Sequence, residues 1–167
     1  GNYVRLVVIA AGISFFSALI PVSASAESRG ENYCAEAKIL CDEGRLEDAV
    51  RAMKSCIDAD PENAEYIEEM GEILTRQERY DDAIKAFESA LAINPGLRTA
   101  KTGKGAALMK KGDLKKAEET LKDALVLNPY PSMTHYVLGL LYEKKGDFEK
   151  AVVEYEQGIE KFKDGRK

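Results

Sequence analysis

The chain has 167 residues, 45% hydrophobic and 32% charged, with a formal net charge of −5. That suits one folded domain rather than a disordered chain, and the negative balance argues against general nucleic-acid binding. With 13 glycines and only 5 prolines, long loops are not expected.

In chain order, the first feature is an uncharged run from Leu6 to Ala26, preceded by Arg5. As a helix it would reach about 31 Å, close to the hydrocarbon thickness of a bilayer. Two readings stand. Ala24-Ser25-Ala26 has the small-x-small form of a signal-peptide cleavage site. A retained signal-anchor helix, with Arg5 on the cytoplasmic side, uses the same residues. Both export the remainder of the chain, to the periplasmic side of a bacterial inner membrane in one case and to the soluble periplasm in the other. Residues 1–26 are therefore expected as the hydrophobic segment and 27–29 as a polar linker.

From Gly30 onward the sequence repeats itself every 34 residues. Ala49, Ala83, Ala117 and Ala151 keep that spacing, as do Ala37, Gly71, Gly105 and Gly139, then Cys56, Ala90, Ala124 and Gly158, then Pro61, Pro95 and Pro129. A period this strict marks an array of like units. The small residues belong where two helices cross closely. Leu46, Tyr80, Leu114 and Phe148 open each second helix, and Met53, Phe87, Leu121 and Tyr155 follow seven residues on, along one apolar stripe. Gly44, Gly112 and Gly146 suit the left-handed end of each first helix, with Asp113 and Asp147 as N-caps of the next. The prolines close each unit.

These residues resemble the tetratricopeptide repeat, most closely in the second unit: Met70-Gly71, Leu74, Tyr80, Ala83, Phe87, Ala90 and Pro95. The resemblance implies an all-α fold, a right-handed α-solenoid of four helix-turn-helix repeats over residues 30–63, 64–97, 98–131 and 132–165, preceded by the N-terminal hydrophobic helix. Lys104 stands in a slot that is usually apolar, which predicts a looser first helix in the third repeat. No helix follows the fourth repeat to cover it, so Val152, Val153, Tyr155 and Ile159 are expected to leave apolar surface open.

The resemblance also implies a concave groove lined by the first helices, built to hold a protein partner. By position, Glu68 and Glu72 fall at an acidic end, and Met109, Met133, Tyr136 and Leu140 at an apolar end. The competing reading packs some of these side chains between repeats. No catalytic residues, metal ligands or cofactor are expected. His135 stands alone in a packing slot, and Gly103-Lys104-Gly105 lies inside a helix and lacks the rest of a phosphate loop. Carboxylates fall at helical spacing without an acid/base pair.

Of the three cysteines, Cys34 and Cys41 are about 10.5 Å apart along one helix and cannot bond. Cys34, early in the first helix, and Cys56, late in the second, face each other in an antiparallel pair, which predicts a Cys34–Cys56 disulfide; the competing reading is three buried free thiols. From Gly30 to Leu97 there are 17 acids and 7 bases, and from Arg98 to Gly165 there are 11 acids and 13 bases. Such an asymmetry steers partners, or simply solvates helix faces. The expected function is a non-catalytic, membrane-tethered scaffold or adaptor in a bacterial envelope complex. The alternatives are a soluble periplasmic adaptor and a homo-oligomer that associates through its uncovered last repeat.

Overall fold

The computed structural model describes the backbone of residues 22–127 and 131–165, and side chains within them from Asn32 onward. Among the described residues eight helices follow one another: α1 (Val22–Asp42), α2 (Leu46–Ala59), α3 (Ala64–Arg76), α4 (Tyr80–Ile93), α5 (Arg98–Lys111), α6 (Leu114–Leu127), α7 (Ser132–Lys145) and α8 (Phe148–Asp164). No strand is present among the described residues. Each helix packs on its neighbours in the chain, and α5 also meets both α3 and α7. That contact pattern is a stacked array of helix pairs, an all-helical solenoid.

The apolar helix expected over residues 1–26 falls, up to Pro21, outside the described residues. Among those described, no helix is long and apolar enough to cross a membrane. Residues 27–29, expected as a linker, are instead helical within α1. The reason is local. Nothing from Val22 to Asp42 is proline, and Ala24, Ala26, Glu27 and Arg29 are good helix formers, so the helix of the first repeat runs back through them.

Helix ends follow the local chemistry. Asn63 Oδ1 accepts the Tyr66 N–H at 3.3 Å, and Asp113 and Asp147 accept from the N–H groups of Lys116 and Lys150, each at 3.3 Å. Lys110 and Lys111 close α5, and Lys144 and Lys145 close α7, opposite the negative end of the helix dipole. Gly112 takes φ 100°, and the next N–H, from Asp113, returns to the Leu108 carbonyl at 3.0 Å. The second repeat makes the same turn with Glu78 at φ 61°, the one non-glycine in the left-handed region among the described residues.

The small residues at the 34-residue period face the large ones. A Cβ on Gly71 would lie 2.8 Å from the Phe87 ring, and one on Gly105 would lie 2.6 Å from Leu121. A Cβ on Gly139 would collide with Tyr155. Phe87 is pinched from both sides, because Gly103 of the next repeat also sits where a Cβ would approach the ring to 2.7 Å. Two apolar clusters result. One runs from Cys34 to Ala107, and the other joins Leu108, Met109, Leu121 and Leu138 to Ala151. α5 runs unbroken through Lys104. The Lys104 ammonium pairs with Glu88 of α4 at 2.7 Å.

A polar clasp ties the third repeat to the fourth. Glu118 of α6 accepts from Lys122 at 2.7 Å, Lys145 at 2.5 Å and the Tyr142 hydroxyl at 2.9 Å. These donors, Lys122 first, hold its carboxyl at about 2, against an ordinary 4.5. A depressed carboxylate contributes stability that is complete above pH 4.5 and lost as pH falls towards 2. We expect Glu118→Gln to lower stability by roughly 1–2 kcal/mol at pH 7, since both lysines are partly solvated. It should also flatten the decline between pH 4.5 and 2 in urea titrations. An unchanged acid limb would show that the clasp contributes nothing.

Candidate protein-binding groove

The concave side is built by α3, α5 and α7. Close approach of these helices depends on small side chains and on one buried polar contact. Thr102 and Thr134 share a hydrogen bond of 2.9 Å between α5 and α7. Between the three helices lies a cleft of about 470 Å³. Phe87, Gly103 and Val137 form its floor, and Glu72, Thr75, Arg76 and Thr99 its polar rim, with Ala106 and Met133 further along.

A second hollow, of about 290 Å³, continues towards α1 and is bounded by Lys38, Cys41, Glu69, Glu72 and Arg76. Lys38 pairs with Glu69 Oε1 at 3.0 Å, while Glu69 Oε2 is shut off from water with no hydrogen-bond partner among the described residues. Such an oxygen costs stability until a donor meets it. Glu72 is raised above the ordinary carboxylate range, first by desolvation within the concave wall and then by Glu69. The free thiol of Cys41 accepts from Arg76 Nη1 at 2.6 Å.

The residues expected in the groove divide. Glu72 and Met133 line the central cleft. Glu68 does not stay open at the acidic end. It is buried, raised chiefly by desolvation, and held by a hydrogen bond with Thr99, because α3 and α5 close on each other around Phe87. Met109 is buried in the second apolar cluster, and Leu140 packs half-buried against it. Met133 and Tyr136 stay exposed and line a separate cleft at the end of the array, where Tyr136 meets Tyr155 with ring centroids 5.9 Å apart. His135 is buried and pairs through Nδ1 with Glu154 at 2.8 Å. The structure holds a Cys34–Cys56 disulfide, with Cα atoms 5.2 Å apart and both cysteines buried. Composition counted the acids but did not tell that Glu69 carries the unsatisfied oxygen. Its one signal was a carboxylate on a first helix beside the groove position Glu68.

Stacked helix pairs with a concave, apolar-floored groove define a helical-repeat scaffold. Three family models, each described as a tetratricopeptide repeat, match residues 34–98, 74–131 and 134–160. The chain therefore carries tetratricopeptide repeats over most of its length. Comparison with curated protein sequences finds no match. Among solved structures, the chain is similar to the crystal structure of MamA, at 25% identity over 82% of this chain and 80% of that one, with a TM-score of 0.67. It is also similar to TTC0263, a thermophilic TPR protein of Thermus thermophilus, at 21% identity over 78% and 73%, with a TM-score of 0.70. A third likeness is to the first TPR of Spaghetti (RPAP3) bound to the HSP90 peptide SRMEEVD, at 18% identity over 72% and 95%, with a TM-score of 0.65.

Proposed function

We infer that this chain is a non-catalytic scaffold whose concave groove holds a segment of another protein. The observation that carries this is the central cleft, which joins an apolar floor at Phe87, Gly103 and Val137 to a rim of threonines and charges. Such a surface takes one or two apolar side chains and hydrogen-bonds the backbone around them. Exposed Glu72 in the second hollow asks for a donor, so the segment carries a lysine, an arginine or a free N–H at that end.

Two further observations favour an exported, membrane-tethered setting in a bacterial envelope complex. The run Leu6 to Ala26 is uncharged and of bilayer length. A buried disulfide persists in oxidising compartments and is rare in the cytosol. The native N-terminal sequence, read after detergent extraction, decides between an anchor and a cleaved signal.

The groove is tested by photo-crosslinking in native membranes. A crosslinking residue at exposed Thr99 should capture a discrete partner, and Ala106→Arg, which fills the cleft, should abolish that capture. The same crosslinker at Lys115 on α6 should not capture it. Capture that is equal at both positions, or that survives Ala106→Arg in a folded protein, would remove the groove from the function.

A further inference from the structure

The outer face of α8 repeats the outer face of α4 at a distance of 68 residues, with one difference: α4 is covered by α5, and nothing described covers α8. Ile84 and Leu91 of α4 are half-buried and packed against the core, whereas their equivalents Val152 and Ile159 are 54% and 56% exposed. Beside them Tyr155, Gly158, Ile159 and Phe162 of α8 and Met133 and Tyr136 of α7 form an open apolar cleft of about 610 Å³.

The charges repeat as well. At the α4/α5 joint Glu88 pairs with Lys104 at 2.7 Å and Asp81 pairs with Lys111 at 2.5 Å. Sixty-eight residues on stand Glu156 and Glu149, both exposed, both still acidic, and with no cation paired to them among the described residues. The α6/α7 joint is closed differently, through Lys145 and Glu118, so this acidic pattern is not common to every repeat. It belongs to α4, where it is used, and to α8, where its counterpart is missing.

We propose that the face of α8 docks an amphipathic helix of a partner protein, with two basic residues seven apart that meet Glu156 and Glu149. The residue just before the first of them is small and lies over Tyr155, in the manner of Gly103 over Phe87, and apolar residues along the same helix lie over Val152 and Ile159. The chain's own α5 is the template: Gly103-Lys104, Ala107-Leu108 and Lys111 in one helix. A second copy does not fit. In the same register its α1 side would bring Glu36 to Glu156 and Glu43 to Glu149, acid against acid. The chain's own run Leu6 to Ala26 does not fit either, since it holds no cation. This site is separate from the concave groove and does not depend on it.

The probe is a fluorescent, hydrocarbon-stapled peptide of the α5 sequence, residues 98–111, titrated against the full chain by anisotropy. Saturable binding is expected, weakened roughly tenfold in the Glu149→Lys/Glu156→Lys double variant and abolished by Ile159→Asp. A peptide carrying Lys104→Glu and Lys111→Glu should reverse the preference, favouring the double variant. Ala106→Arg should leave all of this unchanged, which separates the face from the groove. Circular dichroism checks that the surface variants stay folded. The proposal is overturned by three results: no binding up to about 1 mM, binding indifferent to both the charge swap and Ile159→Asp, or self-association by sedimentation that Ile159→Asp abolishes, which would seat a second copy there.

Discussion

Replacing Phe87 with alanine should destabilise the array by about 3–5 kcal/mol, the range for emptying a fully buried aromatic site. The ring is 1% exposed and is held between Gly71 of its own repeat and Gly103 of the next. Neither glycine has a side chain to lean into the vacated space, so collapse of the site is limited and the cost falls at the upper end. The same ring floors the central cleft. Loss of stability and loss of partner capture should therefore appear together in Phe87→Ala. The milder Phe87→Leu keeps part of the volume and separates them. Urea titration of the full chain reads the first effect, and a loss under about 1 kcal/mol would show that Phe87 is not the wedge between repeats two and three.

The array was legible because its period is a packing rule. The small slots mark where the two helices of a pair cross, and the structure sets Gly71, Gly105 and Gly139 against Phe87, Leu121 and Tyr155. What the period left out is what breaks it. Gly103 falls on no recurring small slot, yet it matters as much as Gly71, because it is the following repeat's contact with Phe87. Glu78 takes a left-handed turn that its three period-mates make with glycine, and nothing in a glutamate side chain signals that backbone. The linker failed for a related reason. Small polar residues resemble a linker in composition, but without proline or a glycine pair they do not stop a helix.

The candidate site was less legible, since groove positions on a helix stand one residue from core positions. Glu68 and Glu72 lie one turn apart, yet α5 closes over the first and leaves the second open. Met109 and Met133 look alike in sequence, but one is 7% exposed and the other 64%. Only the approach of the next repeat decides each case, and that approach is set by residues some 30 positions away. The open end of the array was easier to see. Val152 and Ile159 carry an apolar stripe with no described helix over it. The acids beside them became informative only once the Lys104–Glu88 and Lys111–Asp81 pairs showed what such acids meet elsewhere.

Removing the Cys34–Cys56 disulfide should cost about 3 kcal/mol, the loop-closure value for a cross-link spanning a loop of this length. The bridge joins α1 to α2 with a sequence separation of 22. It lies in the first repeat, which no described repeat precedes. In a one-dimensional array each repeat is stabilised by itself and by its neighbours, so an end repeat has one neighbour fewer and opens first. The bridge acts where that opening would start. Cys56→Ala is the clean variant, because Ala90 and Ala124 fill the same slot in the next two repeats with no exposure at all. Its packing loss is small, and what it removes is the cross-link. The unfolding midpoint should fall, and amide exchange should rise along α1 and α2 while exchange in α6 to α8 stays as in the unmutated chain. Reduction of the unmutated chain should reproduce that pattern, and Cys56→Ala should then be insensitive to reductant. Alkylation gives an independent reading. Without reductant only Cys41, the free and partly exposed thiol, should be labelled; with reductant and urea all three should be. Labelling of Cys34 in the folded, unreduced chain would remove the cross-link, and with it the argument for an oxidising compartment. An unchanged midpoint on reduction would leave the bond in place but show that α1 is held by packing alone.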